Sequence, residues 1–393
     1  MFRKNTNLII IALIAVVNAL GYGIIIPILY PYSLKFGLSD FQNSLLFALF
    51  SLCAFLSAPI IGRLSDKYGR KPLLVISIAG TALSFFVLAF APSAIFLFLA
   101  RALDGITAGN IPVASAVISD TTEPKDRARG FAIIGASFGF GFVFGPAISA
   151  FTLGFGTSVP FLIAGGISIV ATIITLLFLP ETNKFMGRIQ KGKLFDIPRL
   201  VQALGHRAVG KVLLLSFLYN IGFGILIFSY QPFSVKILKL SANQIALLFT
   251  MIGVIGLIVQ VFLLQRVVKI LGDRKTLTAA IILVTFAFIM YFFARNVPLY
   301  IFAVILFAFS NSFVGPLVQT ILSKQTDEES QGSIQGLNSS YVSVGNILGP
   351  IIGGIIATYY IPLPFLACAV FSAICLFLSR TIKSAPKEHA FNV

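Results

Sequence analysis

Two charged side chains, Arg101 and Asp104, lie inside an apolar run that extends from about residue 94 to about residue 117. Ionised groups at such a depth in a membrane are costly unless they are paired or hydrated, so they should face the interior of a helical bundle. Because the two residues are three positions apart, they share one face of a helix and can form an ion pair. The pair is either functional or a structural salt bridge that orients its helix.

A second group of charges lies in the hinge Gly62–Pro72, which joins two long apolar runs. Asp66 is the one acid in this hinge and can pair with Arg70 or with bases farther along the chain. Such a pair would lock the hinge in one state of a moving protein and release it in another. An exposed salt bridge contributes only ~0 to 1 kcal/mol, so a lock requires partial burial. The alternative is a solvated loop whose cations orient the protein in its membrane.

Scattered polar and aromatic residues within the apolar runs form a third candidate set. Together with 40 Phe and no Trp, they suggest a wide, weakly polar chamber suited to an amphipathic small molecule. Each could equally be a packing residue, because one face of every helix must pack. The candidates for a substrate cavity are Asn18, Tyr22, Tyr219, Asn220, Phe223, Gln260, Asn311, Asn338 and Tyr341.

The elements that position these residues are membrane-spanning helices. Hydrophobic residues make up 58% of the chain and charged residues 11%, too little polar surface for a soluble protein of 393 residues. Windows of roughly 20 apolar residues predict twelve helices and an all-α membrane protein. The predicted spans are about 8–30, 42–61, 74–91, 94–117, 130–152, 160–179, 212–232, 244–265, 276–293, 299–321, 334–357 and 363–379.

The distribution of Lys and Arg predicts the orientation of these spans. If the N-terminus is cytoplasmic, the outside segments hold only Lys35, Lys236, Lys239 and Arg295 of the 29 basic residues, and Arg101 lies within a span. Inside segments of membrane proteins carry the excess of basic residues. We therefore expect both termini to lie in the cytoplasm. The protein is expected in the plasma membrane, which in a bacterium is the inner membrane.

The chain reads as two related halves. Residues 1–182 and 211–393 each hold six spans, and the polar stretch 183–210 is expected to be a cytoplasmic linker. With an offset of about 202 residues, Gly21–Ile24 is echoed by Gly222–Ile225. Parallel repeats of this kind form pseudo-twofold bundles with a binding site near the middle of the membrane.

Glycine and proline residues recur at matching places in the fifth and eleventh spans. Such clusters indicate helix bending and close packing, although generic packing of small residues is the alternative. The candidates for bending are Gly141, Gly145, Pro146, Gly345, Gly349 and Pro350.

Three of these patterns carry a family resemblance. The hinge Gly62–Pro72 fits G-x-L-x-D-x-x-G-R-K-P and resembles the signature loop of the major facilitator superfamily. The run Arg101–Gly109 resembles that superfamily's motif R-x-x-q-G, with Asp104 in the place of a polar amide. The glycines of the eleventh span fit G-x8-G-x3-G-P-x2-G-G, which resembles the antiporter motif usually found in the fifth span.

The second half contains a worn copy of the signature loop at Arg266–Lys275. Gly272 keeps the place of Gly69, whereas Lys269 stands where Asp66 does. Loss of the acid suggests that only the first-half loop acts as a latch.

The resemblance is strongest to the drug:proton antiporter branch, which includes tetracycline and multidrug exporters. It implies that Arg101 and Asp104 form the proton-coupling pair, since the arginine of this motif takes part in proton transfer in proton-coupled members. It also implies a gating loop, in which Asp120 joins the signature residues. The gating-loop candidates are Gly62, Asp66, Gly69, Arg70, Lys71 and Asp120.

The expected function is therefore secondary active transport by alternating access, namely proton-coupled export of a hydrophobic or amphipathic drug-like compound and thus antibiotic resistance. The alternatives are a proton-coupled transporter of a metabolite (a sugar, an amino acid or an organic anion) and a channel or sensor in a transporter fold. We expect no enzymatic activity, cofactor, metal site or nucleic-acid partner. The expected partners are a small-molecule substrate, protons and the lipid bilayer, and the protein is expected to act as a monomer.

Overall fold

The computed structural model describes residues 2–122, 127–183, 197–206, 209–326 and 330–382. Within these ranges the chain is helical and contains no strand. The α-helices are α1 (Phe2–Ser33), α2 (Asp40–Tyr68), α3 (Arg70–Ala89), α4 (Ala94–Thr107), α5 (Asn110–Thr121), α6 (Arg127–Thr152), α7 (Val159–Phe178), α8 (Ile197–Leu204), α9 (Gly210–Lys236), α10 (Ala242–Ile258), α11 (Leu264–Leu271), α12 (Asp273–Phe293), α13 (Val297–Lys324), α14 (Gln331–Tyr359) and α15 (Leu363–Thr381).

The described helices provide 12 segments that are long and apolar enough to cross a membrane, which confirms the predicted fold class. The fourth span comprises α4 and α5, and the eighth comprises α10, a π-helical turn at Val259–Leu263 and α11. The first and fifth spans end in short 3-10 turns at Leu34–Phe36 and Leu153–Phe155, and the other spans are single helices. The helix α8 lies in the segment predicted to be a linker.

The fourth span is interrupted at Ala108 and Gly109, directly after the turn that carries Asp104. The Thr107 hydroxyl donates to the carbonyl oxygens of Leu103 (2.9 Å) and Asp104 (3.2 Å). Such side-chain bonds compete with the backbone ladder and bend helices. The helix accordingly ends in a tighter turn, in which the Ala108 amide donates to the Gly105 carbonyl at 3.2 Å.

The chain forms two compact units. Unit 1 comprises 1–39, 49–194 and 241–250, and unit 2 comprises 40–48, 195–240 and 251–393. The first residues of α2 thus belong to unit 2, and those of α10 belong to unit 1. In unit 1 the apolar core draws on α1, α3, α5 and α7, and in unit 2 on α9, α12, α13 and α14.

In unit 1, α1 crosses α6 at glycine. A Cβ built at Gly145 would lie 2.8 Å from the Cα of Gly23, and one built at Gly23 would lie 3.1 Å from Cδ of Pro146 and 2.6 Å from the carbonyl oxygen of Gly141. The helix α6 runs unbroken through Pro146. The absence of side chains at this crossing is what lets the two helices approach so closely.

Unit 2 repeats this crossing between α9 and α14. A Cβ built at Gly224 would lie 3.1 Å from Cδ of Pro350, 3.2 Å from the Cα of Gly349 and 3.3 Å from the carbonyl oxygen of Gly345. The two halves therefore share one helix-crossing geometry, as their sequence echo predicts.

Candidate functional site

The charged pair of the fourth span faces the interior of unit 1. The Arg101 Nη1 atom lies 2.8 Å from the Asp104 Oδ2 atom, and the two side chains are only 1% and 11% exposed. Away from the ends of the described spans, Asp104 is the only acidic side chain. The structure thus gives this pair the setting in which buried charges are tolerated.

The Arg101 guanidinium also packs on an aromatic ring. Its Cζ atom lies 4.2 Å from the centroid of Phe50 in α2, a distance at which the ring quadrupole attracts a cation. Phe50 in turn lies 6.0 Å, centroid to centroid, from Tyr22 in α1, and Tyr22 lies 6.0 Å from Phe142 in α6. Phe50 therefore packs on the ion pair and begins a series of aromatic contacts that continues through Tyr22 to Phe142.

The close approach of α2 to the fourth span depends on two small residues. A Cβ at Gly105 would lie 2.5 Å from the carbonyl oxygen of Phe50, and one at Gly109 would lie 2.6 Å from Cδ1 of Ile61. The Ser57 hydroxyl also donates to the Gly105 carbonyl at 3.1 Å. These contacts hold Phe50 against Arg101.

A chain of amides links the break in the fourth span to α1. Asn110, the first residue of α5, donates from Nδ2 to the Asn18 Oδ1 atom at 2.9 Å. Asn18 donates in turn to the Ile14 carbonyl at 2.8 Å. Asn110 is 1% exposed, and its Oδ1 atom has no hydrogen-bond donor among the described residues. A buried, unsatisfied amide oxygen of this kind calls for an explanation.

Unit 2 brings some of its candidate residues together. The Tyr219 hydroxyl donates to the Asn311 Oδ1 atom at 2.6 Å, and Asn220 donates to the Ser216 carbonyl at 2.8 Å. Asn338 is 5% exposed, and its Oδ1 atom, like that of Asn110, has no donor among the described residues.

The remaining candidates of unit 2 do not converge on these amides. Tyr341 is buried, and its hydroxyl donates to the Leu200 carbonyl in α8. Phe223 is half-buried in α9, and Gln260 is exposed in the π-helical turn of the eighth span.

The signature loop is organised around Arg70. Its Nη1 atom lies 2.6 Å from the Asp66 Oδ1 atom, its Nε atom lies 3.1 Å from the Asp120 Oδ2 atom, and it donates to the Ser65 hydroxyl at 2.7 Å. The Arg70 side chain is 11% exposed. The structure therefore joins Asp66, Arg70 and Asp120 in one partly buried network within unit 1. Of the other candidates, Lys71 takes part through its backbone, whereas a Cβ at Gly62 would meet nothing within 4 Å.

A carboxylate missed by sequence reasoning completes this network. Glu181, just after α7, accepts hydrogen bonds from the backbone amides of Arg70 (2.9 Å) and Lys71 (3.1 Å). These amides form the N-terminus of α3, where a helix attracts anions. Gly69 has φ +104°, and a Cβ there would lie 2.3 Å from the Glu181 Oε2 atom. The sequence does show an acid directly after a span. The amides that it binds, however, lie about 110 residues earlier in the chain.

The corresponding loop of unit 2 carries the opposite charge at two positions. With Gly272 in the place of Gly69, Asp273 occupies the place of Arg70, and Lys269 that of Asp66. Asp273 forms an ion pair with Lys324 at the end of α13, just as Arg70 pairs with Asp120 at the end of α5. The second-half loop has therefore kept one ion pair of the first-half loop, with the positions of the acid and the base exchanged.

A search of the described residues finds no group of three or more His, Cys, Asp or Glu side chains that could hold a metal ion.

Comparison with known proteins gives a consistent result. A family model described as Major Facilitator Superfamily matches the chain twice, over residues 11–213 and 212–392. Multidrug resistance protein 1 of Bacillus subtilis is 30% identical, and the match covers 98% of both chains. The class H tetracycline resistance protein of Pasteurella multocida is 29% identical, with 90% of each chain covered.

Two solved structures illustrate the similarity of fold. A bacterial homologue of the human lysosomal transporter Spinster has a TM-score of 0.77 at 18% identity, covering 97% of this chain and 98% of that one. The human organic anion transporter MFSD10 has a TM-score of 0.73 at 21% identity, covering 96% and 99%.

Proposed function

We propose that this chain, which belongs to the major facilitator superfamily, exports hydrophobic or amphipathic drug-like compounds in exchange for protons. As a member of that family it is a multi-pass membrane transporter and not an enzyme. The proposal concerns the direction, the driving ion and the class of substrate.

The observation that carries the proposal is the buried ion pair of Arg101 and Asp104. A proton-driven transporter needs a group within the membrane that binds and releases a proton, and Asp104 is the one carboxylate in the middle of a described span. Arginine keeps its charge at physiological pH, so proton binding at Asp104 removes the counter-ion of Arg101. The ion pair exists only while Asp104 is deprotonated. Protonation removes the free energy that the pair contributes, and this loss allows a proton to shift a conformational equilibrium.

The neighbourhood of the pair supports such a switch. The Arg101 guanidinium lies 4.2 Å from the centroid of Phe50, so loss of its ion pair with Asp104 would change the balance between its ionic and aromatic contacts. The interruption after Thr107 lies one helical turn away. We propose that loss of the ion pair is transmitted through this interruption to Asn110 and its partner Asn18 in α1.

The class of substrate follows from the side chains of unit 1 near the pair. Tyr22, Phe50 and Phe142 offer aromatic faces, and the unsatisfied amide oxygen of Asn110 offers a hydrogen-bond acceptor. A few polar groups on a mostly apolar lining are typical of sites for drug-sized ligands. The printed names of the relatives, a multidrug resistance protein and a tetracycline resistance protein, support the same class.

The proposed location is the inner membrane of a bacterium, with both termini in the cytoplasm. The uneven distribution of Lys and Arg supports this orientation, which places the signature loop at the cytoplasmic face. We propose that the network of Asp66, Arg70 and Asp120 is closed in one transport state and opens in the other. We propose further that one chain suffices for transport.

Proton-coupled export is testable in everted membrane vesicles. A proton gradient is generated by respiration and followed with a pH-sensitive acridine dye, and tetracycline, a quinolone or ethidium is then added. We expect a substrate to dissipate the gradient in vesicles with the native chain and to have no effect with Asp104→Asn. The control is Asp40→Asn, which removes an acid paired with Lys236 at 2.7 Å outside the proposed coupling pair. Substrate-induced proton movement that persists in Asp104→Asn would contradict the proposal.

A further inference from the structure

A pocket of about 760 Å³ lies in unit 2, where α12 begins and α13 and α15 end. Four basic side chains line it: Arg274, Lys275, Lys324 and Arg380. The one acid among the lining residues is Asp273, which pairs with Lys324. The pocket therefore carries an excess of positive charge, which favours an anionic ligand.

The same place in unit 1 is already occupied by an anion. There, the Glu181 carboxylate binds the backbone amides of Arg70 and Lys71 at the start of α3, and it fills the space beside Gly69. At the start of α12, in contrast, a Cβ built at Gly272 would meet nothing within 4 Å. No carboxylate of the described residues binds the first-turn amides of α12 in the way that Glu181 binds those of α3. Within the part of the chain that the structure describes, the N-terminus of α12 thus has no counterpart of Glu181, and an anionic ligand fits this position.

An apolar surface next to the pocket indicates what kind of molecule carries that anion. The pocket reaches Ile282, which is 44% exposed and begins a row of exposed apolar residues along α12. Phe286, Ile289 and Phe293 continue this row at helical spacing, with exposures of 54%, 37% and 62%. At 1.5 Å per residue the row is roughly 16 Å long. This length corresponds to about half of the roughly 30 Å hydrocarbon core of a bilayer.

We propose that the pocket is a binding site for an anionic phospholipid. The headgroup phosphate lies against the first-turn amides of α12 and the side chains of Arg274 and Lys275. This position in unit 2 corresponds to the position of Glu181 in unit 1. An acyl chain runs along the row from Ile282 to Phe293. Charge-assisted hydrogen bonds to Arg and Lys are the usual means of binding phosphate. Basic pockets between transmembrane helices are suited to such headgroups.

Native mass spectrometry tests the site. The sample is the full chain, purified in detergent and freed of lipid. Phosphatidylglycerol and phosphatidylcholine with the same acyl chains are the two probes. We expect phosphatidylglycerol to bind at least tenfold more tightly than phosphatidylcholine. The double variant Arg274→Ala/Lys275→Ala should lose most of this preference.

A matched control removes the same charge nearby. Arg266 and Lys269 lie on α11 and do not line the pocket, so Arg266→Ala/Lys269→Ala should keep the preference for phosphatidylglycerol. Equal loss in both double variants would show non-specific attraction and would overturn the proposal. Thermal unfolding of each variant in lipid-free detergent verifies that the variants are folded.

Inorganic phosphate distinguishes the two sources of the anion. At millimolar concentration it should leave binding of phosphatidylglycerol unchanged to within about twofold, because it gains nothing from the apolar row. Displacement of the lipid by phosphate at that concentration would identify a soluble anion as the ligand and would refute the lipid site. None of these measurements involves transport, so failure of the proposed export would leave their outcome unaffected.

Discussion

Gly224 and Gly349 are in backbone contact: a Cβ built on Gly349 would lie 2.7 Å from the Cα of Gly224 and 2.6 Å from the carbonyl oxygen of Ile221. Gly336 lies in the same helix, α14, and a Cβ there would meet nothing within 4 Å. Gly349 and Gly336 therefore lie in the same helix and differ in whether another helix packs against them. This makes them a matched pair for mutation.

Replacement of Gly349 by alanine should destabilise the protein, whereas the same change at Gly336 should not. Alanine in a helix interior is favoured over glycine by about 0.5–1 kcal/mol, so Gly336→Ala should leave the melting temperature equal or slightly higher. Gly349→Ala forces α9 and α14 apart, and overpacking of this kind costs typically about 1–3 kcal/mol. Thermal unfolding in detergent measures both variants, and equal melting temperatures would contradict the crossing described here.

Removing both members of the buried ion pair should be tolerated better than removing one. Truncating one partner of a buried pair costs about 3–5 kcal/mol because a charge is left uncompensated. We therefore expect Asp104→Asn and Arg101→Gln each to lower the melting temperature more than the double variant does. Additive effects would indicate that the two side chains do not interact.

Alanine at Arg70, the basic member of the unit 1 pair, should be more destabilising than alanine at Lys324, the basic member of the unit 2 pair. The Arg70 side chain is 11% exposed and has three side-chain partners, whereas the Lys324 side chain is 66% exposed. Exposed pairs contribute about 0–1 kcal/mol, and hydrogen bonds to charged groups about 1.5–3 kcal/mol. Arg70→Ala should thus show the larger loss of thermal stability, and a larger effect of Lys324→Ala would refute this ranking.

An alanine at Gly69 should displace Glu181 from the start of α3. The added Cβ would lie 2.3 Å from the Glu181 Oε2 atom, and the side chain must swing away from the Arg70 and Lys71 amides. Gly272→Ala is the control, since its backbone also has positive φ (+78°) but nothing lies within 4 Å. Gly69→Ala should therefore destabilise the protein more than Gly272→Ala does. In a protein that already carries Glu181→Ala, the difference between the two glycine variants should be smaller.

Much of this architecture follows from local sequence. The twelve spans were predictable because apolar length alone identifies a membrane helix, and the pairing of Arg101 with Asp104 follows from their spacing on one helix. The interruption at Ala108 was not predicted, since hydropathy does not reveal that the Thr107 hydroxyl bonds to the helix backbone.

The partners contributed by distant segments could not be predicted in the same way. Phe50 is one of 40 Phe residues, and nothing local marks it as the ring that receives Arg101. Asn110 and Glu181 likewise depend on contacts across helices for their significance. The reversed polarity of the second loop was within reach of the sequence, because an alignment on Gly272 that extends beyond Lys269 places Asp273 opposite Arg70.

The reversed ion pairs constrain how the two halves of the gene can evolve. Copying the loop of one half into the other by recombination would place a cation at position 273 opposite Lys324, or an anion at position 70 opposite Asp120. Either hybrid would bring like charges together. Positions 70 and 120 should therefore covary among descendants of this gene, as should positions 273 and 324.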